Sequence, residues 1–172
     1  MPPKGTVAPR TPYDMRLTII LAALALSPLL AQCAGDDLAK VVPSEKVGVS
    51  SRDAAQAAAL ISEYRRSRGL SPVAADAGLN EAAAFQARAV AEAGKLSHGA
   101  FASRMASYRI GGHSAENLSA GSDTVAGAIA RWKASPGHND NLLMPEARRV
   151  GLARADSPSH GYRHYWALVL AQ

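Results

Sequence analysis

Ser135-Pro136 forces a break and a restart inside an otherwise helical run, and the residues around it constrain most of what this chain can fold into. A proline at the first helical position gives up an N–H that would have no partner there. A serine before it can accept from the orphan amides of the first turn. A short helix therefore begins at Pro136 and places His138 in its first turn, near the positive end of the dipole. A cationic imidazole is disfavoured there, so His138 leans toward the neutral form that can bind a metal or accept a proton. Upstream, Val125, Ala128, Ile129 and Trp132 fall at i, i+3, i+4 and i+7, the stripe of a helix that Ser122 or Asp123 can cap. Glu116 precedes that helix in a Gly- and Ser-rich loop, so one carboxylate and one imidazole bracket a single helix.

The flanking chain supplies more helices first and strands last. A helix runs from Arg52 to Arg68 with Ser50 as its cap, Ala57, Leu60, Ile61 and Tyr64 as its apolar face and Gly69 just past its end. A second runs from Asp76 to Gly94 with Leu79, Ala83, Ala87 and Val90 on one face, and His98 sits in the loop beyond it. Phe101 to Ser107 forms one or two further turns, broken by Gly111-Gly112. Beyond Pro145, Arg148 to Ala155 alternates as a strand, Asp156 to Gly161 is a turn cluster, and Tyr162 to Leu170 alternates again. These last two segments read as a C-terminal antiparallel β-hairpin. Without βαβ alternation, the order points to an α+β fold.

A chain of 172 residues holds one ordinary domain. Its hydrophobic content of 48% is largely alanine and only 5% of residues are aromatic, which argues for close-packed helices around Trp132, Trp166 and Phe85. The formal net charge is +5, with no lysine-rich run, and the Arg65, Arg66 and Arg68 cluster reads as a solvated helix end. No basic-aromatic interleaving speaks for nucleic acid, no Walker-type loop for phosphates and no Gly-x-Ser-x-Gly elbow for a serine nucleophile.

The single cysteine closes an apolar run. Residues 1–33 form an N-terminal extension and signal peptide, in which Arg16 leads an apolar stretch ending in Leu30-Ala31-Gln32-Cys33. That ending resembles a bacterial lipobox, with Gln32 where a small residue is usual, so lipidation at Cys33 and plain cleavage after Ala31 are both open. Met15-Arg16 also makes a more ordinary signal start than Met1. Residues 34–50 read as a flexible tether and 51–172 as the folded domain.

From about Arg52 onward, the order of signals resembles the bacterial branch of the CAP superfamily (cysteine-rich secretory protein, antigen 5, pathogenesis-related 1), whose shared unit is the SCP domain. The matching pieces are His98 with Arg104 or Arg109 downstream, Glu116-Asn117-Leu118-Ser119-Ala120-Gly121, Trp132 leading into Ser135-Pro136-Gly137-His138 and Leu142-Leu143, Val150-Gly151-Leu152-Ala153, and Tyr165-Trp166. The resemblance implies an α-β-α sandwich, with more strand than periodicity alone gives. It also implies a cleft lined by two histidines and two glutamates that can hold a divalent metal. His98 and His138 match the histidines and Glu116 the first glutamate, with Asn117, Ser135 and Trp132 as supporting cleft residues. The second glutamate has no counterpart in Trp132-Lys133-Ala134-Ser135.

Two imidazoles and a carboxylate are donors that zinc accepts while keeping a position open for water. They can equally form a hydrogen-bonded cluster, since spacings of 18 and 22 residues are unlike a same-helix metal pair. His113, His160 and His164 read as surface residues, with His113 near enough to Glu116 in sequence to enter the cleft. Three functions follow: an exported, non-catalytic envelope module binding a lipid-like, peptide or cell-wall ligand; a metal-assisted hydrolase of peptide or cell-wall material; or a structural envelope lipoprotein with a vestigial cleft. A lipid on Cys33 would make the membrane a partner; nucleic acid is not one.

Overall fold

A computed structural model describes residues 48–172; the apolar segment, Cys33 and most of the expected tether lie outside them. The elements run β1 (Gly48–Ser50), α1 (Ala54–Arg66), β2 (Ala74–Ala75), α2 (Ala77–Ala93), α3 (Phe101–Ser107), β3 (Ser114–Ala120), α4 (Val125–Ala134), α5 (Pro136–Leu142), β4 (Arg149–Asp156) and β5 (His164–Ala171). The sheet order is β1-β4-β5-β3, all antiparallel, with β2 adding a two-residue parallel pairing to β4. The C-terminal hairpin is its centre, in register from Arg149 opposite Ala171 to Asp156 opposite His164.

Strand alternation sorts side chains into two cores. From β5, Trp166, Leu168 and Leu170 join Val150 and Leu152 of β4 beneath α1 and α4. Tyr165, Ala167, Val169 and Ala171 face the other way, with Ala153 and Ala155 beneath α2. Both tryptophans are on the first face, whereas the second is lined mostly by alanine. Ala82, Ala83, Ala87 and Ala91 of α2 are all fully buried against it, so the α2 backbone lies close to the sheet. The result is an α-β-α sandwich, in which the alanine content noted above is the packing material of one interface.

Several local expectations are corrected. Glu116 lies in the middle of β3 rather than in a loop. Gly48–Ser50, assigned to the tether, forms β1 and pairs with β4. Phe85, expected as a core anchor, is 58% exposed. The cap of α1 is Asp53, and Ser50 instead accepts from the Arg52 amide; the cap of α4 is Thr124, not Ser122 or Asp123. Arg65 is fully buried, because it continues the Ala54, Ala57, Ala58, Ile61 stripe of α1. Its guanidinium donates to the carbonyls of Ser71, Leu142, Met144 and Ala147, at 2.8 to 3.1 Å.

β3 is an edge strand whose free side is dressed by side chains. By register, Glu116, Leu118 and Ala120 direct their backbone groups away from β5. The Glu116 carbonyl accepts from Asn141, the Leu118 carbonyl from the Trp132 indole, and the Ala120 carbonyl from Arg131. The helix–break–helix signal at Ser135-Pro136 is thereby docked along β3.

Candidate functional site

The cleft residues gather around that dressed edge, from both layers. Adjacent strand residues point to opposite faces, so Glu116 and Asn117 diverge. Glu116 turns toward α3 and the loop after α2. There His98 Nδ1–H donates to Oε1 at 2.8 Å, and Arg104 forms a short ion pair with Oε2. The Glu116 side chain is 1% exposed and that of His98 56% exposed, so this hydrogen bond links the buried carboxylate to the surface.

Arg104 is anchored in turn. One of its terminal nitrogens also donates to Gln86 Oε1 and to the His98 carbonyl, while the Gln86 amide donates to the Ser97 carbonyl. The loop carrying His98 is therefore tied at two carbonyls to the helices on either side of it.

Asn117 turns to the opposite layer. Its amide donates to the His138 carbonyl at 2.9 Å, and its Oδ1 accepts from Asn141. The His138 ring lies 2.8 Å from Ser135 Oγ through Nδ1, so Ser135 holds the imidazole instead of capping the helix it precedes. Burial lowers the His138 pKa below its ordinary 6.5, and the nearby His98 lowers it further. The ring is accordingly neutral at physiological pH, as its helix position suggested.

His98 and Glu116 are bonded to each other, whereas the His138 ring is bonded to Ser135 and lies near enough to His98 to feel its charge. The side-chain bonds of Glu116 go to His98 and Arg104. Among the described residues, no three His, Cys, Asp or Glu side chains form a group able to hold a metal ion. As donors, the three make an ion-paired hydrogen-bond chain and a separate imidazole.

Of the other histidines, His113 remains exposed and faces Glu146 at 3.4 Å, outside the cleft. His160 is exposed and bonds the Glu92 carbonyl. His164 was expected at the surface, but its side chain is only 14% exposed and bonds Asp156 at 2.7 Å. Gln86 and Asn141 escaped the sequence reading. Gln86 was detectable as a polar residue within the buried stripe of α2, between Ala83 and Val90; Asn141 gave no such signal.

Two cavities adjoin this constellation. One of about 460 Å³ lies over the edge of β3, with Trp132 and Leu118 in its walls, His138, Ser135 and Arg131 along one side, and Leu96 and Tyr162 at its rim. The other, about 670 Å³, lies between α2 and α3 and is more apolar, with Phe85, Val90 and Tyr108 among its lining. The smaller cavity holds the polar chemistry. Arg104 lines the larger, so its wall is also the clamp on Glu116.

The lowered His138 pKa has a measurable sign. As pH falls below about 6.5, the unfolded chain takes up a proton at this position before the folded chain does. The His138 contribution is thus intact above that pH and lost progressively as pH falls through the depressed folded value. Urea midpoints at pH 7.5 and 5.0 should differ less for His138→Gln than for the parent. An unchanged difference would contradict this assignment.

The sequence pattern of the CAP, cysteine-rich secretory protein, family matches residues 58–170. No curated protein matches the chain. Among solved structures, an outer surface protein of Borrelia burgdorferi is similar with a TM-score of 0.63 at 18% identity, over 72% of this chain and 95% of that one. An extracellular SCP-domain protein of Bacillus anthracis gives 0.59 at 20% identity over 68% of this chain, and a cysteine-rich secretory protein of Staphylococcus aureus 0.55 at 18% over 69%. This chain spans only 39% and 38% of those last two.

Proposed function

Because the chain belongs to the CAP, cysteine-rich secretory protein, family, we propose that it is an exported, non-catalytic binding module of the cell envelope whose cleft works without a resident metal. Export is supported by the signal-like segment ending at Cys33, and by the extracellular or outer-surface description of two structural relatives. A shared fold does not carry an activity with it, so the functional reading rests on the site itself.

One observation carries it: both carboxylate oxygens of Glu116 are already held, one by His98 and one by Arg104, inside a buried pair. A general base or water-activating carboxylate needs a lone pair open to the reactant, whereas the Glu116 side chain is 1% exposed and its remaining acceptor sites are buried with it. A zinc ligand would first have to leave a buried ion pair, which costs several kcal/mol. Such a carboxylate is suited instead to fixing the loop that carries His98 at the mouth of the cleft.

Calorimetric zinc titration of the full chain, beside a His98→Ala/His138→Ala variant, tests the metal-free part. The expected result is no saturable heat that depends on the two histidines. Saturable binding near pH 7, lost in the variant, would overturn the reading and put metal-assisted hydrolysis first.

A further inference from the structure

We infer that the cavity over the edge of β3 is a subsite for a carboxylate-bearing N-acetylhexosamine, the sugar-acid unit of a cell-wall glycan. The inference rests on the cleft being a binding site, and it names the ligand class. Tyr162, 55% exposed, presents an aromatic face at the rim beside the half-exposed Leu96. Gly121 lets the ring sit low, since a Cβ there would lie 3.1 Å from Tyr162 Cδ1. An aromatic platform covers the C–H face of a pyranose, as such rings cover other half-apolar surfaces with one wet side.

The polar groups of the lining carry one sign of charge. Among the described residues no aspartate or glutamate lines the cavity, and His138 is held neutral, so the exposed Arg131 is the fixed charge that they supply. One Arg131 nitrogen donates to the Ala120 carbonyl, which points the guanidinium along the edge of β3 and leaves the rest of its donor fork for a planar anion. The hydroxyl of Ser135 and the ring of His138 are partners for sugar hydroxyls. The amides of Leu118 and Ala120 lie on the same outward side as their capped carbonyls, where an N-acetyl oxygen can be met. A cavity of about 460 Å³ is within the range of small-ligand sites, roughly 300–1,000 Å³.

N-acetylmuramic acid and N-acetylglucosamine differ by one lactyl carboxylate, and the isotope-labelled full chain can be titrated with each. The acid should bind saturably, shifting the Leu118, Ala120 and Trp132 indole signals, and should bind about tenfold more tightly than the neutral sugar, as one charge-assisted contact gives. Arg131→Gln should erase that preference and Arg131→Lys retain part of it. Tyr162→Ala should weaken both sugars about tenfold. Equal affinity of the two sugars in the parent would overturn the carboxylate assignment. If a stem peptide without sugar shifts these signals while both sugars are silent, the sugar class falls and the binding cleft stands. Silence toward sugars and peptide alike overturns both.

Discussion

Gly151→Ala is expected to cost more than about 3 kcal/mol, the upper part of the range for forcing an atom into a packed interior. A Cβ at Gly151 would lie 2.1 Å from the Leu79 carbonyl carbon, 2.3 Å from its oxygen and 2.4 Å from the Asn80 nitrogen. All three are backbone atoms, so no rotamer change relieves the clash; the first turn of α2 must lift off β4. That turn is fixed by two backbone-directed bonds, Asp76 N–H to the Val150 carbonyl and the Leu152 N–H to Asn80 Oδ1. Lifting it would strain both, and would open the alanine-lined interface that depends on close approach. Urea denaturation would measure the loss, with Gly48→Ala as a control at a glycine whose added Cβ meets nothing within 4 Å. A loss under 1 kcal/mol would mean that α2 shifts freely, contrary to its dense packing.

Arg65→Met should cost about 3–5 kcal/mol, comparable to removing one member of a buried charged network. The methionine can occupy much of the volume, so the cost isolates the hydrogen bonds. Four carbonyls lose their donor, and three of them, Leu142, Met144 and Ala147, lie in the segment that leads from α5 to β4. Among the described residues no carboxylate pairs with this cation, whose bonds all go to backbone carbonyls. Burial lowers its pKa, as does the charge of Arg148, while backbone dipoles solvate it in place of water. Arg65→Lys should not rescue, because an ammonium lacks the planar fork that reaches four divergent oxygens. Hydrogen exchange should localise the loosening to residues 142–147. A uniform loss across the domain would argue against a local clamp.

These two positions also show where reading the sequence succeeded and where it fell short. Gly151 and its neighbours stood out as part of a motif, yet only the packed helix explains why that residue lacks a side chain. Arg65 adjoins Arg66 and Arg68, which points to solvent, yet its spacing from Ile61 puts it on the buried stripe, and here periodicity outweighs charge. The helix starting at Pro136 and the hairpin of β4 and β5 were legible because proline chemistry and two-residue alternation are local signals.

β3 was not legible for a matching reason. Ser114–Ala120 has covered surfaces on both faces, and its polar residues Glu116, Asn117 and Ser119 are buried through contacts made far away in sequence. No alternation remained to be seen. Once Glu116 and Asn117 are known to sit consecutively in a strand, their opposite directions follow: Glu116 meets His98 and Arg104, whereas Asn117 meets the backbone of His138 and the side chain of Asn141. Spacing alone carries no such information about which partner each residue takes.

The dressed edge of β3 also bears on how this chain meets copies of itself. An exposed sheet border is a template on which a foreign strand can add, the route to swapped dimers and fibrils. Here three outward carbonyls in succession are claimed by Asn141, Trp132 and Arg131, and the far border is divided between the short segments β1 and β2. The side chains that shape the cleft therefore also act as a guard against polymerisation, and they would keep neighbouring copies from zipping together when the chain is concentrated.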